Sequence, residues 1–166
     1  MPLASMAYDF EVDGIYYKLT GSSSVAVTSK GDGRWSSDYT GSYSGDITIP
    51  STVNYNNKSY AVTSIGDSAF YYCSSLTSIA IPEGVTSIGS SAFEGCSSLT
   101  SITIPEGVTA ISDYTFYYCS SLTSIAIPEG VTSIGEGAFY YCSDLTSITI
   151  PKGITSIGYG TFNYCI

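Results

Sequence analysis

Apolar and polar residues follow a pattern that recurs every 23 residues from Thr63 to the end of the chain. In each repeat, residues 76–81 or their equivalents place Leu, Ile and Ile at the spacing L-x-x-L-x-L, with Thr and Ser after the leucine and Ala or Thr between the two isoleucines. This alternation predicts a short half-buried strand, which the following proline ends. Residues 85–88 predict a second short extended segment, and residues 92–96 predict a tight helical or 3₁₀ turn whose apolar side closes the coil.

The repeats are also nearly identical in sequence. Residues 76–96 read LTSIAIPEGVTSIGSSAFEGC, and residues 122–142 read LTSIAIPEGVTSIGEGAFYYC. One coil alone cannot offset its ordering entropy, but stacked coils share a continuous core. The sequence therefore predicts a β-rich (α/β-type), right-handed solenoid with its strands in a parallel sheet. The five cysteines lie in one register and are expected to be core residues: Cys73, Cys96, Cys119, Cys142 and Cys165.

The first part of the chain does not repeat. Residues 8–19 predict a hairpin turning at Asp13-Gly14, and residues 24–28 predict a third strand. Residues 30–39 are a loop by composition, and an aromatic patch is expected at Trp35, Tyr39 and Tyr43. An insert of nine residues, 54–62, contains the turn-rich run NYNNKS and predicts a small hairpin projecting from the solenoid.

These features predict three segments. Residues 1–7 (MPLASMA) lack the charged start and long apolar core of a signal peptide, so we expect a vector-derived remnant from which a native signal was cut away. We expect residues 8–46 to form an N-terminal β cap and residues 47–166 to form a solenoid of about five coils. The sequence ends just after a cysteine, without an atypical last repeat, which predicts a truncated C-terminal end.

Charge and composition exclude several functions. The net charge is −9, and such a surface repels nucleic-acid phosphates and anionic lipid headgroups. The sequence has no histidine, the commonest general base and metal ligand. No apolar run approaches the ~20 residues of a membrane helix, so no membrane insertion is expected. Like groups repeated in columns do not provide the unlike groups that converge in an active site, so no catalytic residue, cofactor or metal site is predicted.

The stretch LTSIxIPEGVTSIGxxAFxxC resembles the BspA-like leucine-rich repeats, a bacterial and protozoan subclass of the leucine-rich-repeat superfamily. The resemblance covers roughly residues 47–166, and DFEVDGIYYKL at residues 9–19 looks like the hairpin cap that precedes such repeats. It implies a secreted or cell-surface binding module of anaerobic gut or oral bacteria, with adhesion to host matrix proteins or other cells. The resemblance implies no catalytic residues, and similarity of fold alone does not establish the function.

Polar columns supply the candidate binding residues. The strand residues between the buried leucines and isoleucines face the concave surface in this fold class, and this surface is small, flat and uncharged. It is either a solvated strand face, a docking surface for an extended peptide or glycan, or, least in keeping with its incomplete Thr-x-Thr rows, an ice-binding array. The hydroxyl residues of these columns are Thr77, Ser78, Thr100, Ser101, Thr103, Thr123, Ser124, Thr146, Ser147 and Thr149.

Tyrosines beside the cysteines form a further column, of which Tyr117, Tyr118, Tyr140 and Tyr141 are the candidate binding residues. Their rings either stabilise the stack or bind a sugar or a protein. An acidic column, Glu83, Glu106 and Glu129, is expected to be a solvated turn rather than a calcium site.

The sequence favours a non-enzymatic adhesion module, extracellular or on the cell surface, that binds a host extracellular matrix or cell-surface protein. Two alternatives stay open: a carbohydrate-binding module that uses the tyrosine rows, and a structural spacer. The open last coil also predicts end-to-end self-association.

Overall fold

The 23-residue period has a direct structural counterpart, because each repeat contributes one short strand to each of two parallel ladders. The computed structural model describes residues 8–31 and 42–165. Its strands are β1 (Phe10–Val12), β2 (Ile15–Leu19), β3 (Ser24–Thr28), β4 (Gly45–Thr48), β5 (Thr52–Tyr55), β6 (Lys58–Ile65), β7 (Leu76–Ala80), β8 (Ser87–Ile88), β9 (Ser101–Thr103), β10 (Ala110–Ile111), β11 (Ser124–Ala126), β12 (Ser133–Ile134), β13 (Ser147–Thr149) and β14 (Ser156–Ile157).

The first ladder contains β4 and β7 in one sheet and β9, β11 and β13 in another. The second ladder contains β3, β6 and β8 in one sheet and β10, β12 and β14 in another. In the first ladder, β4 pairs with β7, and β11 lies between β9 and β13. In the second ladder, β6 lies between β3 and β8, and β12 lies between β10 and β14. All of these pairings are parallel and join residues one period apart within the regular repeats, such as Ile102 to Ile125. The predicted parallel strands are therefore confirmed.

Side chains of equivalent residues stack between the ladders and form the core. A column of phenylalanines, Phe70, Phe93, Phe116, Phe139 and Phe162, has neighbouring ring centroids 5.1–5.6 Å apart and nearly parallel rings. Phe93, Phe116 and Phe139 are fully buried because each has a ring on both sides. The core is thus continuous from repeat to repeat, and each repeat completes the burial of the one before it.

The turn that closes each repeat differs from the prediction: no helix is present in the described residues, and residues 89–96 form successive turns. The backbone amides of these residues alternate between two directions. The Ala92 and Cys96 N–H groups donate within the turn, whereas the Phe93 N–H donates to Thr115 O of the next repeat at 2.9 Å. A continuous helix would need every amide for local bonds, so the inter-repeat bonds exclude it.

The predicted N-terminal hairpin and third strand are confirmed. Strands β1 and β2 are antiparallel and turn at Asp13-Gly14, where both residues have positive φ. Strand β3 pairs antiparallel with β2 and parallel with β6. Through β3, the N-terminal strands continue directly into the second ladder.

The insert forms a hairpin, as predicted, but it does not project. Strands β5 and β6 pair around Asn56-Asn57, both with positive φ, and β6 is a central strand between β3, β5 and β8. The Phe10 ring of β1 stacks on Tyr55 of the insert, with centroids 4.2 Å apart and planes 4° apart. This aromatic contact and the buried Val53 and Val62 hold the insert against the N-terminal strands.

The expected aromatic patch at the N-terminal end is not formed by Tyr43, and Trp35 and Tyr39 lie outside the described residues. Tyr43 is buried, with 3% of its surface exposed. Its hydroxyl donates to Thr28 O and accepts from the Tyr16 N–H at 3.1 Å. Tyr43 therefore joins the chain after the loop to β2 and β3 as a core residue.

The cysteine column is also part of the core, as predicted. None of the five cysteines forms a disulfide; four are buried, and Cys165 in the last repeat is half-buried. The Sγ atoms of Cys96, Cys119 and Cys142 each donate to the carbonyl of a phenylalanine in the preceding repeat, at 3.1–3.2 Å. Burial raises the pKa of these three thiols, that of Cys142 to about 12.

The raised thiol pKa values predict a loss of stability in alkali. The folded protein keeps these protons while the unfolded chain releases them above its ordinary thiol pKa of about 8.5, so stability is complete below that pH and falls as pH rises toward the folded pKa. We expect each buried thiol to lower the free energy of unfolding by up to about 1.4 kcal/mol per pH unit above that point. Urea unfolding with reductant present, from pH 7.5 to 10, measures the slope.

The Cys119→Ala variant is the matched comparison, because it removes one titrating thiol with little change in volume. As pH rises, its free energy of unfolding should fall less steeply than that of the unmodified chain. The difference between the two slopes should be about 1.4 kcal/mol per pH unit. Equal slopes for the two proteins would contradict the account.

Candidate functional site

The predicted hydroxyl columns lie on one exposed face of the first ladder. Ile79, Ile102 and Ile125 point to the core, so the residues on either side of each isoleucine point to solvent. All ten predicted residues are exposed. We call them together the hydroxyl face: Thr77, Ser78, Thr100, Ser101, Thr103, Thr123, Ser124, Thr146, Ser147 and Thr149.

The register aligns these hydroxyls between repeats. Ser124 pairs with Ser101 on one side and with Ser147 on the other, and Ala126 lies between Thr103 and Thr149. Adjacent strands are about 4.8 Å apart, so each column presents hydroxyls at that spacing. Within the described residues, the hydroxyls of Ser101, Thr103, Ser124, Ser147 and Thr149 have no side-chain hydrogen bond to protein and remain available to a ligand.

A carboxylate that sequence analysis did not single out lies at the β4 end of this face. Asp46 accepts hydrogen bonds from Thr77 Oγ1 and Ser78 Oγ, each at 2.7 Å. These two bonds stabilise the carboxylate and lower the pKa of Asp46. The alignment of ITIP at residues 47–50 with IAIP at residues 79–82 was the available signal, since it places Asp46 opposite Ser78. The hydroxyl face is therefore negatively charged at this end.

The four predicted tyrosines form two stacked rows beside the first ladder, which we call the tyrosine ladder. The Tyr117 and Tyr140 rings are 4.8 Å apart and 18° from parallel, and the Tyr118 and Tyr141 rings are 4.7 Å apart and 17° from parallel. Tyr118 and Tyr141 are each 40% exposed. Each ring covers a face of its neighbour in the next repeat, so the ladder presents mainly ring edges and hydroxyls to solvent.

Backbone geometry fixes the row of the tyrosine ladder that contains Tyr118 and Tyr141. Tyr118 and Tyr141 have positive φ, a conformation that non-glycine residues rarely adopt. At the equivalent position in the second repeat the residue is Gly95, and a Cβ there would lie 2.9 Å from the Tyr72 ring. In this structure the Tyr72 ring therefore lies over Gly95, in the space that a side chain at that position would enter.

A shallow groove of about 530 Å³ lies on the second ladder, where sequence analysis placed no site. The signal was present, since Thr-Ser-Ile occurs twice in most repeats and predicts two hydroxyl-bearing faces. Polar groups that line the groove form hydrogen bonds within the protein: Asp113 Oδ1 accepts from the Glu136 N–H at 2.8 Å, and Ser112 Oγ donates to Ile88 O at 2.7 Å. This groove therefore offers fewer free donors and acceptors than the hydroxyl face.

Other features of the described residues do not form a site. Glu83, Glu106 and Glu129 are exposed in the turn between the two ladders. No group of three His, Cys, Asp or Glu side chains in the described ranges is arranged to hold a metal ion. Nor does the described part of the chain contain a helix long and apolar enough to span a membrane.

Comparisons with known proteins agree with this geometry. The family profile described as the BspA type leucine rich repeat region matches residues 46–166 in six copies. A search of the curated proteins finds no match.

The solved structures that are similar to the chain include three bacterial leucine-rich repeat proteins. A leucine-rich repeat protein from Bacteroides ovatus is 40% identical, with a TM-score of 0.80 over 91% of this chain and 37% of that protein. The leucine-rich repeat protein of Treponema pallidum is 28% identical, with a TM-score of 0.77 over 95% of this chain and 67% of that protein. A leucine-rich cell surface protein from Faecalibacterium prausnitzii is 28% identical, with a TM-score of 0.53 over 94% and 52%, respectively. The chain thus spans little more than a third of the Bacteroides protein.

The stacking of the tyrosine ladder predicts that it contributes to stability. The double substitution Tyr117→Ser and Tyr140→Ser removes two rings that contact each other and their neighbours, and should lower the free energy of unfolding by about 1–3 kcal/mol. Urea unfolding monitored by circular dichroism measures the change. Tyr159→Ser is the control, since Tyr159 is 84% exposed, and should be nearly neutral. No loss in the double variant would show that the rings do not stabilise the fold.

Proposed function

Because the chain belongs to the BspA-type leucine-rich repeat family, we propose that it is a non-enzymatic adhesion module of a bacterial surface or secreted protein. Leucine-rich repeat domains generally act as protein-binding modules, and BspA-type proteins are typically secreted or on the cell surface. We infer a right-handed solenoid in which the N-terminal strands cap the first repeat. Its partner is a host matrix protein or a protein on another cell.

The observation that carries this proposal is the hydroxyl face, whose side chains are in register and five of whose hydroxyls, those of Ser101, Thr103, Ser124, Ser147 and Thr149, have no hydrogen bond to another described residue. Ser and Thr hydroxyls both donate and accept, so a column of them can pair with the backbone or polar side chains of an extended segment. The face contains no lysine or arginine, and the chain has a net charge of −9. These charges disfavour polyanionic ligands and favour neutral or basic protein surfaces.

The size of the hydroxyl face suggests that the tyrosine ladder takes part in binding. Four strands at about 4.8 Å give a face roughly 15–20 Å long and about 10 Å wide. Its area of roughly 150–200 Å² is well below the ~800 Å² per partner of a stable protein interface. The tyrosine ladder precedes the strands of the first ladder in each repeat and extends the surface beside them. Tyrosine hydroxyls and ring edges then enlarge the contact, as is common in protein interfaces.

Binding of glycans by the tyrosine rows receives less support from the geometry. A sugar ring stacks on an open aromatic face, whereas the faces in the tyrosine ladder are covered by neighbouring rings 4.7–4.8 Å away. We therefore favour a protein partner for this surface. End-to-end self-association is a further proposal.

Binding to a panel of immobilised host matrix proteins, mucins and glycans tests the proposal. We expect saturable binding to a protein and its loss in a Thr103→Lys/Thr149→Lys variant, because two long cations then occupy the hydroxyl face. The matched control is Ser87→Lys/Ser156→Lys, which adds the same charge at exposed positions of the second ladder and should bind as the unmodified chain does.

Equal losses in the two variants would mean that charge, and not the hydroxyl face, governs binding. Binding to glycans alone would favour the carbohydrate-binding alternative. Absence of binding to any member of the panel would contradict an adhesion site in these repeats and favour a spacer.

A further inference from the structure

A second concave region lies away from the hydroxyl face, between the N-terminal hairpin and the strands around the insert. Its volume is about 430 Å³, near the lower end of the roughly 300–1,000 Å³ range of small-molecule sites. The turn between β1 and β2 forms one side, and the end of β4 with β5 forms the other. We call it the hairpin groove, and its lining is Val12, Asp13, Ile15, Tyr17, Thr48, Pro50, Thr52, Val53 and Asn54.

Tyr17 distinguishes this groove from the rest of the surface. Only 1% of the residue is exposed, yet its hydroxyl has no hydrogen-bond partner within the described residues. The hydroxyl is not sealed inside the protein either, since Tyr17 lines the groove and its oxygen is not among the fully enclosed unpaired polar atoms. A hydroxyl that reaches the groove and has no partner among the described residues is available to hydrogen-bond a ligand there.

Tyr43 shows that the fold can satisfy a buried tyrosine. It is 3% exposed, and its hydroxyl both donates to Thr28 O and accepts from the Tyr16 N–H. Tyr17, the residue after Tyr16 in β2, is also buried but lines the groove together with Asp13, whose negative charge acts on the Tyr17 phenol. The unpaired state is therefore particular to the groove side of β2.

The Tyr17 side chain is held rigidly. Its ring stacks on Phe10 at 5.5 Å and 28°, and Phe10 in turn stacks on Tyr55 at 4.2 Å. Strand β2 itself is paired on both edges, by β1 and by β3. A hydroxyl fixed in this way loses little conformational freedom when it binds a ligand.

The other side chains that line the groove indicate the chemistry of the ligand. Asp13 supplies a carboxylate acceptor, Asn54 an amide that donates and accepts, and Thr48 and Thr52 supply hydroxyls. Burial, and then the negative charge of Asp13, raise the pKa of Tyr17 to about 12, so the phenol stays neutral and able to donate. The lining has no cation, which disfavours phosphates and carboxylates. Val12, Ile15, Val53 and Pro50 provide apolar walls beside these polar groups.

A molecule that bears several hydroxyls and also apolar C–H surface matches this lining, and its size corresponds to one ring. We propose that the hairpin groove binds a single neutral pyranose, the terminal sugar of a glycan. The Tyr17 hydroxyl and the Asp13 carboxylate contact sugar hydroxyls, and the apolar wall contacts the sugar C–H groups. This site is separate from the hydroxyl face and from the tyrosine ladder.

Nuclear magnetic resonance titration of the ¹⁵N-labelled chain tests the proposal. The probes are the methyl glycosides of glucose, galactose, mannose, N-acetylglucosamine, N-acetylgalactosamine and fucose, each added to tens of millimolar. We expect at least one to cause saturable shifts of the Asp13, Thr52 and Asn54 amides. Tyr17→Phe should raise its Kd about tenfold, the effect of losing one hydrogen bond to a fixed donor.

Tyr16→Phe is the matched control, because it makes the same change at the next residue of β2, whose side chain points away from the groove. It should bind the sugar like the unmodified chain. Tyr17→Phe breaks no protein hydrogen bond and should keep its melting temperature. Asp13→Asn, in an exposed turn, is an independent variant that should also weaken binding.

The proposal is overturned if none of the glycosides gives saturable shifts in the groove, or if Tyr17→Phe and Asp13→Asn both bind the sugar as tightly as the unmodified chain. Shifts confined to the tyrosine ladder would likewise overturn it. The Thr103→Lys/Thr149→Lys variant should keep sugar binding, so failure of the adhesion proposal and failure of this one are distinguishable.

Discussion

Hydrogen bonds between repeats are the constraint on which the rest of this structure depends. In the closing turn, alternate amides donate to the next repeat, as Phe93 does to Thr115 and Phe116 does to Ala138. These bonds require each repeat to have the same length, so that residues one period apart lie side by side. The phenylalanine column, the buried thiols and both strand ladders follow from that alignment. The positive φ values of residues such as Tyr118 are kept because the same bonds hold the turn.

The same alignment determines the surface. Equivalent exposed residues of successive repeats lie side by side. Similar residues at these positions therefore form the columns of the hydroxyl face and the tyrosine ladder. Columns of like groups suit broad, shallow contacts with another protein. The hairpin groove differs because it lies where the chain does not repeat. Unlike groups, among them the Tyr17 hydroxyl and the Asp13 carboxylate, come together there, as small-ligand sites require.

Much of the fold could be predicted because the period and the apolar spacing act locally. The parallel strands, the hairpin at Asp13-Gly14 and the exposed hydroxyl columns follow from residue alternation and turn chemistry. The closing turn was predicted in part: the chain does turn tightly there, but it forms no helix, since local spacing does not reveal that the Phe93 amide bonds to another repeat. The insert was expected to project for a similar reason: its contact between Tyr55 and Phe10 joins residues far apart in sequence. The sequence of a single repeat does not predict the position of Asp46 or the hairpin groove, because both depend on residues that are far apart in the chain.

Deleting one whole repeat tests the role of the period most directly. Removal of residues 99–121 joins Ser98 to Leu122 and brings the Phe93 amide beside the carbonyl of residue 138, with every column still in register. The shortened chain should unfold cooperatively in urea with a lower free energy of unfolding, because one layer of core is lost. Removal of residues 99–109 alone should abolish the cooperative transition, since it breaks the register. If the whole-repeat deletion unfolded the protein as completely as the partial one, stacking at a fixed period would not be what holds this fold together.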